Sequence, residues 1–235
     1  MPQRILINYA HHRYYEAQKR NSATGLSIGG FDRAISYNYK DLDDAFVAKN
    51  AAILQMPRGA GYWIWKPYLI LKTLRECDEN DIVFYCDSGS RFIQSMEPVF
   101  KLIEKDDIIA FVLTEHRERT WTKRDVFVTM RCDMDEYKDT FMRIGGFIGV
   151  KNCARARDFI ATWLDLVEHF DLVTDSPSKS GSEDPAFREN RHDQSIFSLL
   201  SKKWNVPEYP DPSQFGEGAK DRPYGTLIDL HRDSN

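Results

Sequence analysis

Asp87 stands where an apolar run, Ile82 to Cys86, comes to an end, and Ser88 and Gly89 follow it. In an open α/β sheet ligands gather at the carboxyl ends of strands, where a carboxylate can hold a hard divalent cation through oxygen. The glycine two residues on lets the backbone approach something bulky, although Asp-Ser-Gly is also ordinary turn chemistry. A second stretch, "RHDQS", puts Asp193 and Gln194 at the head of an amphipathic helix, either as a cap or as a polar pair turned toward a ligand. In "GYWIWKP" the rings of Tyr62, Trp63 and Trp65 offer faces for a planar ligand or a sugar, and Lys66 could reach a phosphate; the alternative is core packing with a snorkelling lysine. "TKRD" sets Lys123 and Arg124 in a first helical turn, a poor place for cations because the helix end is already partly positive, which points to an anion nearby; the alternatives are an offsetting Asp125 or a solvated charged face. Gly145 and Gly146 mark a bulge, a tight bend or a close approach to a ligand. His11, His12, His116, His169 and His192 share no metal-ligand spacing and read as surface or loop residues, His11 and His12 being weak candidates because they follow the first strand.

The elements that must position these residues alternate. "RILINYA", "AISYN", "DIVFYC", "DIIAFVL" and "GGFIGVK" read as strands, several of them uniformly apolar, which predicts a mainly parallel sheet covered on both faces. Helices are expected over Asp43–Met56, from Lys66 with Pro67 in its first turn, over "MEPVFKLIEKD", from a Thr122 cap, from an Asn152 cap, and over "RHDQSIFSLLSKK". The fold class is α/β, in one domain spanning 1–235. Residues 171–190, rich in Ser, Pro and charge, are too long for an idle connection and read as a mobile loop that could close over a ligand.

Composition narrows the function. The chain has 235 residues, 42% of them hydrophobic, and a formal net charge of −4, which argues against nucleic acid as the partner. No window resembles a membrane span or a secretory leader. Cys77, Cys86, Cys132 and Cys153 form no CxxC pair, so the expected compartment is a reducing cytoplasm. No GxxxxGK[ST] loop appears, which ranks a nucleotidyltransferase or sugar-nucleotide hydrolase lowest.

The order "GYWIWKPYLILKTL", "DIVFYCDSGS", "WTKRDVF", "GGFIGVKN", "RHDQSIFSLL" and a terminal "LHR", from roughly Ile5 to Arg232, resembles nucleotide-sugar-dependent glycosyltransferases of the GT-A fold, in particular small polysaccharide-type transferases with a GYW-x-WKP segment. The resemblance implies a sugar transfer from a nucleoside diphosphate donor to a hydroxyl of a glycan or glycoconjugate, in polysaccharide or surface-glycan synthesis. It also implies a divalent metal, Mn²⁺ or Mg²⁺, on Asp87 and a late histidine, His231. The donor would lie among Asp87, Ser88, Gly89, Lys66, Tyr62, Trp65, Lys123, Arg124, Gly145, Gly146 and Arg232. Asp193 or Gln194 would serve at the reacting sugar, Asp193 as general base in an inverting transfer. Asp87-Ser88-Gly89 carries one carboxylate where the Asp-x-Asp of that fold carries two, so a non-catalytic carbohydrate- or nucleotide-binding module on the same fold is the rival reading.

Overall fold

The computed structural model describes residues 2–231. Its centre is a seven-stranded sheet in the order β2-β1-β3-β7-β5-β6, with β8 on β5. The strands are β1 (Arg4–Tyr9), β2 (Arg33–Tyr37), β3 (Ile82–Cys86), β5 (Ile108–Arg117), β6 (Phe141–Arg143), β7 (Phe147–Lys151) and β8 (Glu208–Pro210). A separate two-stranded ladder joins β4 (Ser90–Phe92) to β9 (Ile228–Leu230). The principal helices are α1 (Tyr15–Thr24), α2 (Trp65–Glu76), α3 (Glu97–Asp106), α4 (Arg124–Thr129), α5 (Ala154–Val167) and α6 (Asp193–Lys203); shorter turns are cited by residue range.

The expected α/β class holds, with the sheet mixed. Parallel pairing joins β1 to β2, β1 to β3 and β5 to β8, whereas β7 is antiparallel to both β3 and β5, and β6 to β5. β7 is an inserted strand of reversed direction: it follows directly on β6, so no crossover helix turns the chain around before it. The insertion leaves β1, β3 and β5 pointing the same way, so their carboxyl ends and the start of β7 share one rim.

Alternation along the strands divides the core. Ile5, Ile7, Val83, Tyr85, Ile148 and Val150 face α2, α5 and α6, meeting Leu71, Leu74, Phe159, Trp163, Ile196 and Phe197. Leu6, Phe84 and Cys86 face the other way, onto Val99, Phe100 and Ile103 of α3 and onto Phe31 and Phe92. Each fully buried side chain of this kind contributes about 1.5–3 kcal/mol.

Three local expectations are corrected. The Asp43–Met56 helix is two pieces, Asp44–Lys49 and Ala51–Leu54, because the Asn50 amide donates to Phe46 O and to Glu168 Oε1 and takes up the break. Asn152 does not cap α5; its side chain donates to Cys77 O and Asp78 O, and Cys153 is the capping residue. Thr122 likewise precedes the cap, with its hydroxyl on buried Glu118.

Residues 171–190 are fastened to α4, and none of them is among the residues that line the main cleft. The anchor is Asp125, which is buried and accepts hydrogen bonds from Lys179 N, Ser180 N and Ser178 Oγ. Burial disfavours its charge, but these donors and Lys123 outweigh that and hold the carboxyl at about 2. A folded-state pKa below the unfolded value contributes stability that is complete above about pH 4 and is lost as pH falls toward 2. Asp125→Ala is expected to cost roughly 2–3 kcal/mol in urea denaturation at neutral pH and to open residues 174–185 to protease. Wild-type resistance in that variant would refute the anchor.

Candidate functional site

The shared rim opens into a cleft of about 1300 Å³. Its floor contains Asp87, Ser88 and Gly89 after β3, with Ile144, Gly146 and Phe147 around the start of β7; Tyr9 to Tyr14 after β1 form one wall, and Val112 to His116 of β5 another. Gly59, Ala60, Trp63 and Trp65 close one side, and Pro210, Asp211 and Phe215 to Ala219 form a rim turn. Gln194 enters from the head of α6.

Asp87 is held from below. Tyr85 Oη donates to its Oδ1 at 2.6 Å, its backbone N–H donates to Gly146 O at 2.9 Å, and its side chain is 41% exposed toward solvent. A Cβ at Gly146 would stand 2.8 Å from Asp87 Oδ2, so the carboxylate packs into space that only a glycine leaves. Ser88 Oγ donates to Tyr9 O at 2.7 Å, tying the ends of β3 and β1 together.

Behind this floor lies a buried ion pair, Lys66 with Asp193. Lys66 Nζ, on a residue 3% exposed, donates to Asp193 Oδ2 and to Gly145 O, both at 2.8 Å, and stands 3.9 Å from Asp87 Oδ1. Burial works against the ammonium, yet the two carboxylates more than reverse that and raise its pKa. Burial pushes Asp193 up to about 6 in spite of Lys66. Asp193 is the first residue of α6 rather than its cap, and Trp163 Nε1 donates to its carbonyl. Gly145 N donates to Gln194 Oε1 at 3.0 Å, so the loop is held by Gln194 directly and by Asp193 through Lys66.

The wall before α2 is strained. Five consecutive residues, Gly59 to Trp63, have positive φ, three of them not glycine, a conformation costly for L-residues. It persists because neighbours over-determine it: Trp65 Nε1 donates to Gly59 O, Trp65 stacks on Tyr9 at 3.8 Å, and buried His192 packs against Tyr62 and Trp63.

No protein-family model and no curated protein matches the chain. Among solved structures it is similar to the crystal structure of mouse xyloside xylosyltransferase 1 in its apo form, at 10% sequence identity and a TM-score of 0.51, over 98% of this chain and 97% of that one. The two chains share a fold. The shared architecture is a mixed α/β sheet flanked by helices, consistent with a GT-A-like fold.

Within that fold the sequence-derived residues separate into groups. Asp87, Ser88, Gly89, Trp65, Gly146 and Gln194 line the cleft; Lys66, Asp193 and Gly145 lie directly behind it. Tyr62 does not line it, because the left-handed turn sends its ring onto His192. Lys123 and Arg124 are elsewhere altogether. The anion that Lys123 needed is Asp125 at 3.2 Å, with Asp171 O and Ser176 Oγ, and Arg124 is taken by Asp133 and Ser182 O. Arg232 lies outside the described residues. His116, set aside as a loop residue, is in the cleft wall together with His11 and His12. Arg13 and the rim turn were missed: Arg13 sits in a polar segment with no motif, and a Gly-rich coil carries no periodicity to place it.

The β4–β9 ladder pairs Ser90 with Leu230, the residue before His231; His231 itself is not among the residues lining the cleft. One carboxylate and one imidazole suit a divalent cation that takes its remaining ligands from a bound diphosphate and water. No group of three or more His, Cys, Asp or Glu side chains that could hold a metal ion assembles among the described residues. Among them, too, no helix is long and apolar enough to cross a membrane.

Proposed function

We propose that this chain is a glycosyltransferase that moves a sugar from a nucleoside diphosphate donor to a hydroxyl of a glycan or glycoconjugate. The observation that carries the reading is Asp87: a lone, braced carboxylate on the floor of a large cleft, at the carboxyl end of a central strand, within this fold. Asp87 and His231 would hold the divalent cation, which when bound neutralises charge on the departing diphosphate. Arg13, on the β1 wall, adds counter-charge.

Gln194 faces the reacting sugar and orients it, its Oε1 held by Gly145 N. Asp193 is a positioning residue in this reading. Its carboxylate is buried on Lys66, so it fixes the ammonium and the Gly145 carbonyl instead of reaching an acceptor proton. The Lys66 ammonium in turn stands 3.9 Å from Asp87 Oδ1.

Calorimetry with nucleoside diphosphates and their sugars, each with and without Mn²⁺ and Mg²⁺, tests the reading. At least one nucleoside diphosphate is expected to bind, about tenfold or more tightly with the metal than without. Absence of binding across the whole panel in both conditions rejects the transferase.

A further inference from the structure

The inward face of α1 is made of amides. Its buried residues are Ala17, Gln18 and Asn21, with no large apolar side chain among them. Packing alone therefore gives this helix little hold on the sheet, and a buried amide is costly unless its polar atoms are paired. Both amides are spent on strand ends. Gln18 Nε2 donates to Tyr37 O at 2.7 Å, where β2 stops. Asn21, 0% exposed, reaches the turn that carries Asp87.

Asn21 Nδ2 donates to Ser90 O at 2.9 Å and, at longer range, to Cys86 Sγ at 3.3 Å and Asp87 O at 3.4 Å. An amide has two hydrogens for these three acceptors, so one N–H goes to Ser90 O and the other is shared. The carbonyls that enter and leave the Asp87–Ser90 turn thus meet one side chain. Asn8 of β1 fixes which way that amide points. Its Nδ2 donates to Asn21 Oδ1 at 2.8 Å and to Ser22 Oγ at 2.9 Å, so the Asn21 oxygen is occupied and the nitrogen faces the turn. Tyr85 Oη and Gly146 O hold Asp87 from the sheet, and Asn21 holds it from the opposite side, through the backbone. The chain that enters α1 also carries Arg13 of the cleft wall, two residues before Tyr15.

We infer that Asn21 is a positioning residue: it fixes the Asp87–Ser90 turn so that the Asp87 carboxylate keeps its place on the cleft floor, and it thereby sets the metal-linked part of nucleotide binding. This rests on the transferase reading. Asn21 touches no ligand and acts only through the turn. Because Arg13 leads into the same helix, the two groups assigned to the diphosphate and its cation share one support, and their spacing is set before the ligand arrives.

The test compares Asn21→Leu with Asn152→Leu. Each deletes a buried amide at nearly constant volume, but Asn152 serves Cys77 O and Asp78 O near the amino end of β3, on the opposite rim of the sheet. Two quantities are read in the ligand-free and nucleotide-bound protein: hydrogen exchange of the backbone amides of residues 87–91, and the gain in nucleoside diphosphate affinity on adding Mn²⁺. In Asn21→Leu the exchange is expected to quicken about tenfold, and the metal's gain to shrink from about tenfold to about threefold or less. Asn152→Leu is expected to lose stability yet keep both wild-type values. Asn21→Asp has the wild-type shape, keeps the oxygen for Asn8 and loses the N–H donors, so it should follow Asn21→Leu and carries the test if the leucine variant does not fold. Wild-type exchange and metal gain in the Asn21 variants, or equal losses in Asn152→Leu, would overturn the inference. Failure of wild-type protein to bind any nucleoside diphosphate strikes the transferase reading instead, and the exchange rates still decide whether Asn21 holds the turn.

Discussion

Lys66→Met is expected to lower folding stability by about 3–5 kcal/mol at neutral pH, because it strands a buried carboxylate. Asp193 is 3% exposed and has Lys66 Nζ at 2.8 Å as its cation, with Asp87 adding like charge nearby. The loss should depend on pH in a stated direction. Burial already raises Asp193 to about 6, above the usual carboxylate value, so between about pH 4 and 6 the folded chain keeps a proton that the unfolded chain releases. Stability from this group therefore falls as pH rises through that window. Without Lys66 the carboxyl rises further, the window extends upward, and the gap between variant and wild type widens from pH 5 to pH 8. Urea denaturation across that range reads it directly, and a gap that is constant or shrinks would refute the pairing.

Function separates from stability in the double variant Lys66→Met/Asp193→Leu. An apolar pair of similar volume removes the stranded charge and should recover much of the stability. Sugar transfer should not recover. The Gly145 carbonyl loses its donor and Asp87 its neighbouring ammonium, so a deficit of about two orders of magnitude is expected to remain. Recovery of both together would make Lys66 structural only.

The parts of this fold that were legible in the sequence are those whose signal is local. Ile5 to Ile7 and Val83 to Cys86 read as buried strands because consecutive apolar residues need two covered faces, and both faces are covered. Strand direction is not local. "FIGVK" looks the same running either way, and only its contacts with β3 and β5 reveal the reversal. The site divides along the same line. Asp87 could be singled out because a carboxylate ending an apolar run is a local anomaly, and Lys66 because a lysine beside a helix-starting proline is another. Lys123 and Arg124 look like a ligand site in sequence because cations crowd a helix start, but a sequence cannot say whether the charge that meets them is a ligand's or belongs to Asp125 and Asp133. The Lys66–Asp193 pair spans 127 residues of chain, beyond any spacing argument.

Asp87→Ala should then remove transfer almost completely, by about three orders of magnitude, while leaving the fold intact. Its side chain is 41% exposed and its main packing partners are Tyr85 Oη and the bare face of Gly146, so truncation opens no core cavity. Nucleotide affinity should lose its dependence on added Mn²⁺, because one of the two protein groups assigned to the cation is gone. Asp87→Asn sharpens the reading. The amide oxygen can still accept from Tyr85 Oη, so the floor keeps its shape while the charge is deleted, and transfer should fall nearly as far as in the alanine variant. A binding module on this fold would behave otherwise: it would keep its carbohydrate affinity in both variants and turn over no donor even as wild type. Retained transfer in Asp87→Asn would mean that geometry, and not the negative charge, is what this position supplies, and the assignment of the cation to Asp87 would fail with it.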